Sequence, residues 1–321
     1  DGSLPNLALM RLASWHRNCG DEVRFFKGAA AATKALDEPV YKSVYASSIF
    51  KFSKPLIERF TQMWPEAIIG GTGTTSLATV EQIIGDYDGL DYTIQPDFRA
   101  SIGFTQRGCR LSCKFCVVPA KEGKPRSVST VAKIWRGFPY PKWLHLLDND
   151  FFGQVEWRDR MEEIRTGSFK VCFSQGINVR AMTEEVAASI AAVEYRSNEF
   201  NRRRLYTAWD NLKDEEVFFK GVDCLEKAGV PPKHLMAYML VGFDKKESWE
   251  RIHHRFNRMT SRGILPYPMV FDCRDTDYER YTGLKRFQRW AVTGLYRAIP
   301  FSAYDPGHKR GRLSPLSLDS L

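Results

Sequence analysis

From about residue 100 onward, short apolar runs alternate with segments of helical period, and this alternation restricts the chain more than any other feature in it. Candidate strands fall at 101–105, 143–147, 169–174, 204–209, 235–241 and 268–272, with helices at 128–135, 156–165, 183–194, 214–228, 246–260 and 284–297. Strand and helix in turn are the signature of repeated βα units, because parallel neighbours need a crossover and the crossover is normally a helix. Six such units predict a partial (βα)6 barrel over 100–300, with ligands bound where the C-terminal strand ends meet their loops. Polar residues do end these strands: Asp148-Asn149-Asp150, Ser174-Gln175, Trp209-Asp210, Gly242-Phe243-Asp244 and Asp272. Any one of them reads equally well as a helix cap or a turn. Five together favour a site.

The first 99 residues read differently, with a helix at 5–19, strands at 22–26, 43–50 and 67–69, and a helix at 54–63. Pro5 and Gly20 stand where a helix prefers to start and stop. The order predicts a small doubly wound, Rossmann-like domain over 1–99. Gly70, Gly71 and Thr72 follow its last strand, where backbone can approach a ligand closely and where a plain tight turn is equally expected. Residues 301–321 are read as a C-terminal tail.

With 321 residues, 43% of them hydrophobic, the chain can bury a full core. It lacks any run of the roughly 18 to 20 apolar residues that a membrane-spanning helix needs, and its start does not read as a signal sequence. The expectation is a cytoplasmic protein with no membrane partner. A first residue of Asp1 rather than Met predicts that the reading frame extends upstream. The +9 net charge is unevenly placed: residues 1–99 carry 10 basic and 12 acidic side chains, whereas 251–312 carry 13 and 5. Such a skew suits an anionic partner, either nucleic acid or a phosphorylated small molecule, and equally a solvated basic face.

Seven cysteines argue for a reducing compartment rather than a disulfide framework. Cys19, Cys172, Cys224 and Cys273 are scattered singly, as packing cysteines are. Cys109, Cys113 and Cys116 lie on one loop at Cys-x3-Cys-x2-Cys spacing, directly after the first strand of the βα series. Three thiolates so spaced can each hold one iron of a cubane and leave the fourth iron open, whereas electron-transfer clusters normally take four Cys ligands. A zinc reading needs a fourth ligand such as His145.

At these residues, with Phe115 before the third Cys, the chain resembles the radical SAM superfamily over about 100–300. The resemblance implies a [4Fe-4S] cluster on Cys109, Cys113 and Cys116, with S-adenosylmethionine chelating the open iron and cleaved reductively by an electron from flavodoxin or ferredoxin. It places the methionine ammonium at the end of the second strand, here Asp148, Asn149 and Asp150, where the family's Gly-Gly-Glu sequence is absent and Asp148 or Asp150 becomes the acceptor. It further implies Ser174, Gln175, Asn178 and Arg180 at the ribose and carboxylate, and Asp210 and Gly242 along the cofactor. Residues 1–99 resemble a shortened cobalamin-binding domain, with Gly70, Gly71 and Thr72 near the nucleotide tail. Its cobalt-binding Asp-x-His-x-x-Gly pattern is missing, since Ser14 and Cys19 flank His16 where Asp and Gly would stand, and His16 is expected on a helix surface. The function expected from this resemblance is radical chemistry, with or without cobalamin-assisted methylation, and the basic C-terminal third makes an anionic substrate, foremost nucleic acid, the expected target. A nucleotide-like metabolite as substrate, and a non-catalytic iron–sulfur redox sensor that binds nucleic acid, are the alternatives.

Overall fold

The computed structural model describes residues 4–76, 78–274 and 276–305. It divides into two units, Asp1–Gly103 with Phe138–Pro141, and Phe104–Gly137 with Lys142–Leu321.

In the first unit, helix α1 (Leu7–Asn18) starts where Asn6 accepts a hydrogen bond from the Leu9 amide at 3.1 Å, and Gly20 follows its end with φ 85°. Strands β1 (Tyr45–Ser47) and β2 (Ile68–Gly70) pair in parallel, Tyr45 opposite Ile68, and helix α2 (Lys54–Met63) joins them. Helix α3 (Glu81–Ile84) and strand β3 (Ser101–Gly103) complete the unit. The strand expected at 22–26 is irregular chain. Its run Glu22-Val23-Arg24-Phe25 alternates polar and apolar over only four residues before a second aromatic, and Val23 and Phe25 are no more than half-buried.

The second unit opens with β4 (Gln106–Arg107) and β5 (Arg126–Ser127), an antiparallel pair, with α4 (Val118–Glu122) between them and α5 (Val131–Ile134) after. Strand β6 (Trp143–Leu146), helix α6 (Trp157–Thr166), strand β7 (Lys170–Phe173), helix α7 (Glu184–Ala191) and the short strand β8 (Glu194–Tyr195) follow, with β6 parallel to β7 and β7 parallel to β8. A second sheet runs in the order β11-β10-β9, all parallel. It is built from β9 (Leu205–Ala208), helix α8 (Glu215–Lys227), β10 (Leu235–Val241), helix α9 (Trp249–Ser261) and β11 (Leu265–Val270), with helix α10 (Tyr278–Val292) behind it.

The expected βα alternation is therefore present as a mixed α/β fold with parallel sheets. Three of the boundaries that differ have local reasons. Strand β11 begins earlier than expected, at Leu265, because an edge strand tolerates Pro266 and Pro268, which have no amide to donate. Helix α10 starts at Tyr278, capped by the Asp277 side chain on the Arg280 amide, and is over before Gly294 turns left-handed at φ 77°. Helix 128–135 shortens to α5 because Thr130 caps it at the Lys133 amide.

One apolar core fills the second unit. Leu144, Leu146, Val171 and Phe173 of β6 and β7, and Leu205, Leu235, Ala237, Met239 and Val241 of β9 and β10, belong to one buried cluster with Phe218 of α8, Phe256 of α9 and Phe287 of α10. No described helix is long and apolar enough to cross a membrane.

Candidate cofactor site

The three clustered cysteines lie on the loop between β4 and α4, and the end of β6 fixes that loop at several points. Asp148, 3% exposed, accepts from the Thr105 amide at 2.7 Å, the Gln106 amide at 3.0 Å and the Thr105 hydroxyl. Burial pushes its carboxyl up to about 7, outweighing the hydrogen bonds from Thr105 and Gln106 that favour the ion. The fully buried Gln106 spans the same corner, its Oε1 accepting the Asp150 amide at 3.2 Å and its Nε2 donating to the Arg107 and Gly108 carbonyls.

One residue past Cys109, Arg110 donates Nε and Nη2 to the two oxygens of Asp150 at 2.7 and 2.8 Å, and its amide adds a third bond at 3.0 Å. The other flank rests on Glu122, which receives Arg107, the Gly108 amide and Asn149 Nδ2 at 2.8 to 3.0 Å. Burial raises the Glu122 pKa, but Arg107, the Gly108 amide and Lys121 together carry it below the ordinary value. Gly108 has φ 86°, and a Cβ there would stand 2.2 Å from the Lys124 carbonyl oxygen, so only glycine fits.

All three cysteines are free thiols of intermediate exposure. The Cys116 amide closes a turn onto the Cys113 carbonyl at 3.0 Å, and the Cys109 sulfur accepts the Leu111 amide at 3.4 Å. Among the described residues no three His, Cys, Asp or Glu side chains converge on a single metal ion. A cubane puts each thiolate on a different iron, so its ligands need not meet at one point. The donor set of three unpaired thiols on a braced, half-exposed loop fits such a cluster. The zinc alternative fares worse, because His145 is 1% exposed and bonded to Ser174 Oγ at 2.9 Å.

Phe115 meets Phe243 edge to face at 5.5 Å, and Phe243 meets Phe271 at 5.1 Å, so the cysteine loop and the chain after Gly242 share an aromatic wall. Other expected cofactor residues are engaged within the protein. Asp148 and Asp150, read as acceptors for a methionine ammonium, have their oxygens on loop donors. Arg180 gives one terminal nitrogen to Asp214 at 2.9 Å, and Asp210 accepts the Leu240 amide at 2.9 Å. Gln175 is exposed and Asn178 half-buried at the end of β7. Sequence reasoning assigned no role to Thr105, Gln106 or Glu122. Their roles come from long-range bonds that leave no local pattern, although the one acid in Lys121-Glu122-Gly123-Lys124 was a visible sign.

In the first unit, Gly71 (φ 101°) lies so close to β1 that a Cβ would meet the Ser48 carbonyl oxygen at 2.1 Å, and Thr72 Oγ1 donates to the Ile49 carbonyl. The close approach expected at Gly70, Gly71 and Thr72 is thus to the chain itself. His16, expected on a helix surface, is 16% exposed in its side chain and bonded to Asp21 through Nδ1 and to Tyr45 through Nε2.

The basic stretch is largely spent internally. Arg255 is fully buried on Glu247 and the Trp209 and Leu240 carbonyls, Arg258 bonds Glu215, Arg262 bonds Asp223 and Glu226, and Arg286 bonds the Tyr304 and Phe301 carbonyls. Lys309, Arg310 and Arg312 lie outside the described residues. No family model matches the chain, and no curated protein or solved structure matches it.

Proposed function

We propose that the second unit is a radical SAM enzyme core, a partial (βα)6 barrel that holds a [4Fe-4S] cluster on Cys109, Cys113 and Cys116. The supporting observation is the Cys-x3-Cys-x2-Cys loop braced at both flanks by residues from the end of β6 and the start of the unit. A cluster held there would supply the electron for reductive cleavage of a C–S bond of S-adenosylmethionine. The chain's own residues bind and orient. Asp148, Asp150 and Glu122 keep the loop in place, and Phe115 with Phe243 forms an apolar wall for the adenine. Arg180, steadied by Asp214, is the candidate partner for the methionine carboxylate, because a guanidinium keeps further donors after one bond. Ser174 and Asn178 are candidates for the ribose. A flavodoxin or ferredoxin is the proposed reductant.

The first unit enters this proposal as a small Rossmann-like domain without a cobalamin step, since Gly71 and Thr72 are packed on their own chain.

The test is anaerobic reconstitution followed by turnover with dithionite and S-adenosylmethionine. About four irons and four sulfides per chain are expected, with 5′-deoxyadenosine or S-adenosylhomocysteine formed. Cys109→Ala, Cys113→Ala and Cys116→Ala should each abolish cluster and product, whereas Cys19→Ala and Cys224→Ala should not. Iron without cleavage would favour the redox-sensor reading, and one zinc with no iron would end both.

A further inference from the structure

The sheet β9-β10-β11 has two unlike faces. Along β10, Leu235, Ala237, Met239 and Val241 are buried, while Met236, Tyr238 and Leu240 between them are only half-buried. Parallel sheets are normally covered on both sides. The register puts Tyr238 beside Ala208 on one neighbour and Tyr267 on the other, so Tyr206, Tyr238 and Tyr267 share one face, Tyr206 buried at its β9 end and Tyr238 and Tyr267 half-buried. Tyr206 and Tyr238 lie nearly parallel with centroids 6.2 Å apart, and Tyr267 meets Tyr238 edge-on at 5.7 Å.

Buried residues of β6 and β7 adjoin Tyr206. His145 and Cys172 stand opposite each other in register, Ser174 bonds to His145, and Cys172 donates to Asn198, whose amide bonds the Tyr206 hydroxyl at 3.1 Å. These groups are uncharged at neutral pH. Burial holds His145 down at about 4 and Cys172 and Tyr206 up at about 12. The exposed acid Glu199 acts electrostatically on all three groups. The Tyr238 and Tyr267 hydroxyls have no hydrogen-bond partner among the described residues, and neither oxygen is fully buried.

We propose that this face is the substrate floor and that it takes a flat, uncharged heteroaromatic ring of the nucleobase kind, stacked on the tyrosine rings and bonded by the Tyr238 and Tyr267 hydroxyls. Stacking platforms of this composition bind bases through their π-faces, whereas among the described residues no cation acts on His145, Cys172, Tyr206 or Tyr238, and the acid Glu199 acts on the first three. The inference deepens the radical SAM reading by naming the substrate class, and rests on that reading only for calling the ring a substrate.

The test uses the full chain, titrated with uridine and guanosine, with their 5′-monophosphates, and with ribose 5-phosphate as the anion control, read by saturation-transfer NMR and calorimetry. Adenosine is left out because S-adenosylmethionine carries the same ring. A nucleoside should bind, its monophosphate no more tightly, and ribose 5-phosphate not at all. Tyr238→Leu and Tyr267→Leu should each weaken nucleoside binding tenfold or more, and Tyr238→Phe, which keeps the ring and the fold, should weaken it less. Absence of nucleoside binding, equal binding by the Leu variants, or preference for the phosphates would overturn the proposal. Iron content and S-adenosylmethionine cleavage are measured on the same samples. A cleaving protein that binds no ring refutes this inference alone, and a ring-binding protein without iron refutes the enzyme reading alone.

Discussion

Arg110 and Asp150 form a two-pronged ion pair that ties the middle of the cysteine loop to the end of strand β6, at 2.7 and 2.8 Å, with Asp150 only 2% exposed. Forked arginine–carboxylate pairs fix direction as well as distance. The pair therefore sets where Cys109 and Cys113, the cysteines on either side of Arg110, present their sulfurs.

Asp150→Ala should lower the stability of the full chain by about 2 to 3 kcal/mol, because it strands charged and amide donors at a partly buried site. Asp150→Asn keeps one acceptor and should cost less. Urea unfolding of both variants, beside the rate of iron loss to a chelator, checks the assignment. Equal stability and equal iron retention in wild type and Asp150→Ala would show that the fork does not hold the loop.

Gly108 gives a sharper case. Gly108→Ala must place a methyl group 2.2 Å from the Lys124 carbonyl oxygen in a left-handed conformation. A loss above about 1 to 3 kcal/mol is expected from backbone strain alone, with iron uptake falling further than after Gly123→Ala. Gly123 is also left-handed, at φ 75°, but has open space around its Cβ position. Matched melting curves and iron contents for the two variants would refute the close-packing argument.

What the sequence displayed and what it hid divide along physical lines. Periodicity identified β10, α8 and α9, because each has an apolar face facing the core. The cysteine loop was visible because its chemistry sits in eight consecutive residues. The bonds that Asp148 and Asp150 make to the cysteine loop leave no sign at the end of the second strand. Their donors, Thr105 and Arg110, are about forty residues away in the chain, and only folding brings them together. The basic stretch was ambiguous for the same reason: a count of charges cannot distinguish Arg255, buried on Glu247, from a solvated arginine.

His145 and Asp148 titrate in one window with opposite sign. Folding holds His145 down at about 4 against an ordinary 6.5, through burial, so its contribution is present above pH 6.5 and is lost as pH falls toward 4. Burial raises Asp148 to about 7 from 3.8, so its contribution is present below pH 3.8 and is lost as pH rises through 7. Each term is on the order of 3 to 4 kcal/mol, so the two largely offset in the wild type. His145→Gln should therefore gain stability, relative to wild type, between pH 7 and pH 4.5, and Asp148→Asn should lose it. Urea midpoints at the two pH values decide, and parallel shifts in both variants would contradict the assignment.

The last prediction concerns Arg286. Its Nε donates to the Tyr304 carbonyl at 2.7 Å, its Nη2 reaches the Phe301 carbonyl at 3.1 Å, and its guanidinium lies 4.8 Å from the centre of the Phe301 ring. A residue so engaged ties the segment after α10 back onto that helix and has few donors left for a phosphate. Arg286→Ala should cost about 1.5 to 3 kcal/mol, as the loss of charge-assisted hydrogen bonds does. The salt dependence of any tRNA or DNA binding should stay unchanged. An arginine on a phosphate behaves in the opposite way, leaving stability intact and flattening the log–log salt slope by about 0.7 to 0.9 when removed. A flattened slope with unchanged unfolding would return Arg286 to a nucleic-acid surface, whereas lost stability with an unchanged slope fixes it as a brace for α10.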